Sequence, residues 1–384
     1  MNAKLFKNLA MPIALVAIAA FFALKLDRET LFGSGHFVFL GPRNLTQLIV
    51  EFSITGTLAL GMFMILLTGQ IDLSVGSGVG LIGGIAAVLV FQHGWSAPAA
   101  MGAAFVAALV LWTAMGTLIV RQRIPSFIIT LGGLLIFKGL FWLVIQNSTI
   151  PVARGDEENL YSRLTTYYLP VNAGLGLAAA IALALGVLGW RNRGARVAHQ
   201  LAVPPATRVF AQWLVLVAAC AGLVVMFNQF RGVPFSLLVL AATAGAVYFL
   251  TQHTPFGRYL YAIGGNEEAA VLSGIAVSRV LTAAYVLMGV TVALTGFMQT
   301  AYQGSSTSTV GDLMELDAIA ACVIGGTALK GGRGSVWGVI FGALIMTTLL
   351  NGMTLLAVSP EIKFVARGTV LTLAVWMDVR LGRR

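Results

Sequence analysis

At 384 residues, 58% apolar and only 10% charged, the chain carries more apolar surface than a water-soluble core of its size can hide, which excludes a soluble globular domain. The formal net charge of +10 sits in short segments between apolar runs, so it speaks for membrane topology and anionic lipid rather than for a nucleic-acid surface. Two cysteines, Cys220 and Cys322, both in apolar stretches, supply neither a disulfide framework nor metal-ligand spacing, and no metal or cofactor is expected.

A hydrocarbon core about 30 Å thick is crossed by about 20 apolar residues in a helix. That length places candidate spans at 8–26, 45–67, 71–91, 97–120, 124–146, 171–190, 209–227, 234–250, 282–301, 335–357 and 362–378. A further piece, 315–329, is shorter, carries Asp317 and ends in Gly325-Gly326, so it reads as a half-helix buried in protein. The expected fold is all-α and polytopic, with about 11–12 helical segments in one membrane domain over 1–384. Lys4 and Lys7 precede the first run, which reads as an uncleaved span because no small-residue cleavage site precedes Asp27. With the N-terminus inside, most lysines and arginines, among them Arg191, Arg193, Arg196 and Arg208, fall on the cytoplasmic side, and both termini are expected there.

Three polar segments interrupt the apolar pattern. Residues 147–170 combine Asp156, Glu157 and Glu158 with Tyr161, Tyr167 and Tyr168, a composition suited to an ordered cap on the outer face. Residues 191–208 are a basic cytoplasmic loop. In 251–281 the run from Gly265 and Asn266 to Gly274 reads as a short helix. Asn266 is a suitable N-cap, Glu267 and Glu268 suit the positive end of the helix dipole, and Gly274 suits a left-handed stop. About two turns long, such a helix must lean on its own membrane domain or on a partner. A docking element and a capped surface loop both fit.

Charges inside a span cost about 2.5 to 3.5 kcal/mol on insertion scales, so Glu51, Asp72 and Lys138 need partners. Asp72, two residues before Ser74, reads either as the N-cap of the helix over 71–91 or as part of a gate. Glu51 and Lys138 lie at similar depths below the outer surface, which makes them candidates for a buried ion pair. Glycines crowd the spans, notably Gly76, Gly78, Gly80, Gly83 and Gly84, which permits close helix approach and broken helices. The phosphate-cradling loop of an ATPase is missing, since Lys330 precedes Gly331-Gly332-Arg333 without the required order, and His36, His93, His199 and His253 are scattered without zinc spacing. The chain is not expected to be an enzyme; uphill transport would draw on an ion gradient or on another subunit.

Glu268-Ala269-Ala270 followed by Gly274 resembles the loop by which membrane subunits of ABC importers engage their ATPase. Ile71-Asp72-Leu73-Ser74-Val75-Gly76, Pro125-Ser126-Phe127-Ile128, Tyr261-Ala262-Ile263-Gly264-Gly265-Asn266 and Glu315-Leu316-Asp317-Ala318 resemble the monosaccharide permeases of that class, over about residues 45 to 378. The additional hairpin at 171–227, with Arg231-Gly232-Val233-Pro234 and Asn351-Gly352-Met353, is similar to the xylose-type branch, whereas Lys330 and Glu51 depart from the family pattern. The resemblance implies a homodimer in the bacterial inner membrane, a cytoplasmic ATPase subunit, a periplasmic sugar-binding protein and a monosaccharide substrate, most plainly D-xylose. It also implies that 251–281 is the coupling segment, with Gly265, Asn266, Glu267, Glu268, Ala269, Ala270, Leu272 and Gly274 at the ATPase contact. Asp72, Ser74, Phe127 and Asp317 are pathway or gate candidates, and Arg154 and Arg231 are candidates for docking the binding protein. The competing reading is an ion-coupled secondary sugar transporter using the intramembrane carboxylates.

Overall fold

The computed structural model describes residues 3–28, 37–155, 158–201, 203 and 205–382. Asp156, Glu157 and His36 lie outside the described residues. The described chain is almost entirely helical. In order the elements are α1 (Ala3–Leu26), α2 (Pro42–Leu67), α3 (Val75–Phe91), α4 (Ala97–Gln122), α5 (Ser126–Ile145), β1 (Ile150–Pro151), α6 (Leu160–Thr166), β2 (Tyr168–Leu169), α7 (Val171–Ala198), α8 (Ala206–Asn228), β3 (Val233–Pro234), α9 (Phe235–His253), α10 (Pro255–Gly265), α11 (Glu267–Leu272), α12 (Val277–Gln303), β4 (Ser305–Ser306), α13 (Met314–Ile324), α14 (Val336–Leu355) and α15 (Pro360–Gly382).

Eight of these helices, α2, α4, α5, α7, α8, α9, α12 and α14, are long and apolar enough to cross a membrane, while Met11–Leu26 and Val75–Phe91 are shorter apolar helices. The layering follows from how much of each apolar surface other helices take up. The most apolar window of α2 is 83% buried and that of α12 is 67% buried, so these form the centre. In α7 and α8 the corresponding share is 6%: the hairpin packs mainly on itself and leaves its apolar flanks exposed. The expected basic loop at 191–208 is largely helical, because α7 runs on to Ala198 and carries Arg191, Arg193 and Arg196 on its last turns.

The expected half-helix is present as α13, 11 residues long and therefore about 16 Å, too short to span. The chain reaches it through an irregular stretch that leaves α12 at β4 and descends against α3. Glycine makes that approach possible: a Cβ on Gly311 would lie 2.1 Å from the Gly76 carbonyl oxygen, and one on Gly80 2.6 Å from that of Val310. Two small antiparallel ribbons, β1 with β4 and β2 with β3, tie the connections at the end of the bundle opposite α10 and α11; the second closes the base of the α7–α8 hairpin. At that same end α6 is held by a capping box between Asn159 and Ser162 and by Tyr161, fully buried, whose hydroxyl donates to the Gly83 carbonyl at 2.8 Å.

Candidate functional site

The polar segment between α9 and α12 folds as two short helices rather than one. Thr254 caps α10, its hydroxyl accepting from the Gly257 amide at 3.5 Å, and Pro255 occupies the first turn where no amide partner is needed. Leu260 and Ile263 turn inward and are buried. The expected caps of α11 are both formed. Asn266 Oδ1 accepts from the Ala269 amide at 3.0 Å, and Gly274 sits at φ +80°. The Gly274 amide donates to Val271 O and the Ile275 amide to Ala270 O, the paired bonds of a glycine-terminated helix.

This geometry sorts the candidate coupling residues. Gly265, Asn266, Glu267, Glu268 and Ala269 are exposed, and Leu272 is 89% exposed. Ala270 is a correction to the sequence reading: at 3% exposure it anchors α11 to its own membrane domain and is not available to another subunit. Val271, 55% exposed, takes its place beside Leu272 as an apolar projection. Beside α11 lies an open groove of about 560 Å³, bordered by Glu267 and Val271 on one side and by Arg123 and Pro125 at the α4–α5 turn on the other.

Beneath α11 three backbone segments meet with no side chain between them. The Gly332 amide donates to Leu67 O at 2.9 Å, joining the end of α2 to the loop between α13 and α14. Gly264, near the end of α10, packs on both: a Cβ there would lie 1.9 Å from Leu67 O and 2.4 Å from the Gly332 nitrogen. Tyr261 adds a hydroxyl bond to Gly334 O at 3.1 Å. Helix α10 is therefore in backbone contact with the end of α2 and with the loop that follows α13.

The intramembrane charges find different partners from those expected. Glu51 and Lys138 do not pair. Glu51 accepts from the Tyr302 hydroxyl at 2.8 Å and from Asn351 Nδ2 at 3.5 Å, and Asn351 in turn accepts from Asn44. Lys138 forms an ion pair with Asp312, donates to Ser308 O at 2.8 Å and lies over the rings of Phe141 and Trp142. Depth alone suggested the Glu51–Lys138 pair, but the descent of the α12–α13 connection puts Asp312 at the lysine instead. Asp317 pairs with Arg367 of α15, Oδ1 to Nε 3.1 Å.

Asp72 is not the N-cap of a helix over 71–91, because that helix starts at Val75. It is a buried tie. Its Oδ1 accepts from the Ser74 amide and hydroxyl at 2.9 and 2.6 Å, and its Oδ2 accepts from Trp112 Nε1 at 2.8 Å. Asp72 and Ser74 are fully buried, whereas Phe127 is 52% exposed at the start of α5. Trp112→Phe should lower stability by about 3 kcal/mol, since it strips a donor from a buried carboxylate and leaves space beside Gly78. A detergent-solubilised thermal melt unchanged by the substitution would contradict this.

Of the two docking candidates, Arg154 is engaged within the chain, donating to Phe91 O at 2.7 Å and Gln92 O at 3.2 Å, and Arg231 lies over Tyr168 and Phe230. Sequence reasoning missed Asp312, Tyr302, Asn351 and Arg367. For Arg367 a signal existed, because it falls within the expected span 362–378, where the cost applied to Glu51, Asp72 and Lys138 applies equally. Among the described residues, no cluster of three or more histidine, cysteine or acidic side chains is placed to hold a metal ion.

The family model described as the permease component of the branched-chain amino acid transport system matches residues 44–375, most of the chain, with α10 and α11 inside the match. The chain belongs to this permease family. It is 37% identical to the xylose transport system permease protein of Escherichia coli over 384 residues, covering 100% of this chain and 94% of the relative. The corresponding protein of Haemophilus influenzae is 37% identical over 374 residues, 97% of this chain and 96% of the relative. The ribose import permease protein of Escherichia coli is 31% identical over 340 residues, 88% of this chain and 87% of the relative. No solved structure matches the chain. The permease is thus a multi-pass inner-membrane transport subunit of the ABC class, a transport component rather than an enzyme.

Proposed function

We propose that the permease forms the membrane path of an ABC importer for D-xylose. The observation that carries this reading is the end-to-end match to xylose permeases, which takes in the whole chain, whereas the ribose permease match takes in 88% of it. In this reading two copies form a homodimer with both termini in the cytoplasm. A cytoplasmic ATPase docks on α11 and its groove, and a periplasmic binding protein delivers sugar to the opposite face, near the two β-ribbons. Exposed Leu272 and Val271 supply an apolar anchor, Glu267 and Glu268 supply charge, and the contact of Gly264 with Leu67 and Gly332 transmits ATPase closure to α2 and α13. Arg231 lies on the delivery face; Arg154 supports that face from within. The carboxylates that the competing ion-coupled reading would use are engaged by Tyr302, Trp112 and Arg367.

The test is reconstitution of the permease with the ATPase and binding protein of its own transport system in proteoliposomes. Uptake of labelled D-xylose should require both partners and ATP. A binding protein from that system which bound galactose and ignored xylose in calorimetry would refute the substrate, and uptake driven by a proton gradient without ATP would refute the importer.

A further inference from the structure

The half of the membrane domain away from the coupling helices contains a cavity of about 300 Å³ that the coupling reading does not use. Its walls come from five helices, with Glu51 of α2, Gln299 and Tyr302 of α12, Asp317 of α13, Thr347 of α14 and Arg367 of α15, and from the α12–α13 connection, whose Asp312 is already paired with Lys138. Because α12 begins beside the coupling helices and Gln299 and Tyr302 lie in its last two turns, the cavity belongs to the face opposite the ATPase site.

Polar walls are costly at this depth unless something polar answers them. Here the walls mix both kinds of group. Glu51 and Asp317 bring acceptors, Arg367 brings fixed donors, and Gln299, Tyr302 and Thr347 bring groups that can do both. Glu51 and Asp317 each spend part of their capacity on Tyr302 and Arg367, which holds the wall in place without closing the space. Thr347 is only 3% exposed, and its hydroxyl has no partner within the protein. A simple ion would call for a wall of one sign. A neutral polyol, whose every hydroxyl donates and accepts, calls for the mixed wall that is present. At about 30 Å³ per water, the volume holds about ten water-sized groups, enough for a pentose ring with accompanying waters.

We infer that this cavity is a transit site for a neutral monosaccharide, occupied after release from the delivery face and before the half-helix α13 moves. The inference rests on the reading of the permease as a sugar importer. It assigns Thr347 and Gln299 as sugar hydrogen-bonding groups and the Glu51–Tyr302 and Asp317–Arg367 pairs as the framework that positions them.

The complete transporter in proteoliposomes tests it, with Thr347→Val and Gln299→Leu, two substitutions that remove polarity with little change of volume. Assembly, followed by size-exclusion chromatography, and ATP hydrolysis stimulated by loaded binding protein should match the parent. Uptake of D-xylose per ATP hydrolysed should fall about tenfold in each variant, the loss expected for one hydrogen-bond partner, and the ratio of D-xylose to D-ribose uptake should shift. Should one variant fail to assemble, the other carries the measurement. Parental uptake per ATP with an unchanged sugar ratio would overturn the transit site while leaving the importer intact. Uptake that needs no ATP in the parent itself would instead remove the importer reading, and this inference with it.

Discussion

A Gly264→Ala permease should reach the membrane and bind its ATPase but lose uptake by about ten- to a hundredfold while ATP hydrolysis continues. The added methyl carbon would lie 1.9 Å from Leu67 O, 2.4 Å from the Gly332 nitrogen and 2.9 Å from the Gly331 Cα. All three are backbone atoms, so no rotamer change relieves the clash and one of the three segments must move. Overpacking of this kind costs about 1–3 kcal/mol. Placed on the junction between α10, α2 and the α13–α14 loop, that cost falls on transmission of movement more than on the fold, because the neighbouring spans keep their own packing. Gly222→Ala, in α8 away from the junction and the docking surface, is the internal control: a methyl there meets nothing within 4 Å, and its uptake should stay at the parental rate. Equal uptake by the two variants, measured against ATP hydrolysis in the same vesicles, would show that the junction carries no coupling.

The second large effect concerns the surface of α11. Glu268→Arg with Leu272→Asp should abolish co-purification of the ATPase and bring uptake to background, with membrane insertion unchanged. Leu272 is 89% exposed and Glu268 also points outward, so neither supports the fold of the free permease. Burial of a leucine at an interface contributes about 1.5–3 kcal/mol, and reversal of the charge adds repulsion where attraction stood. Ala270→Asp should behave differently. With Ala270 3% exposed against its own domain, the aspartate would detach α11 from the bundle and lower thermal stability as well as docking. A double variant that retained its ATPase and transported at the parental rate would place the docking surface elsewhere.

Much of this architecture is written in local pattern. Eight of the eleven apolar runs expected to span are helices of membrane length, the run ending in Gly325-Gly326 is a half-helix, and Asn266 and Gly274 bracket a short helix; all of these depend on neighbours in sequence. Caps and spans are legible because their energetics are settled within a few turns: a side-chain oxygen reaches an amide three residues on, and an apolar segment partitions by its own composition. The α10 helix was less legible, since its stability comes from Leu260 and Ile263 packing inward rather than from a cap alone.

Partner choice among the intramembrane charges was decided only by tertiary structure. Glu51 and Lys138 matched in depth, yet depth on two helices says nothing of the angle at which each side chain leaves its helix. The descent of the α12–α13 connection past Gly76 and Gly80 puts Asp312 at Lys138, and the packing of α15 on α13 puts Arg367 at Asp317. For Asp72 the sequence located a polar start to α3, but the bond to Trp112, 40 residues away, exists only because α4 lies across Gly78. The sequence by itself determined a polytopic helical membrane protein with a capped short helix between two spans, since composition and short-range hydrogen bonding suffice for that. Which charges meet, which face of α11 is free, and where a polar space remains among α2, α12, α13, α14 and α15 depend on contacts between residues tens to hundreds of positions apart, and those follow from the helix packing alone.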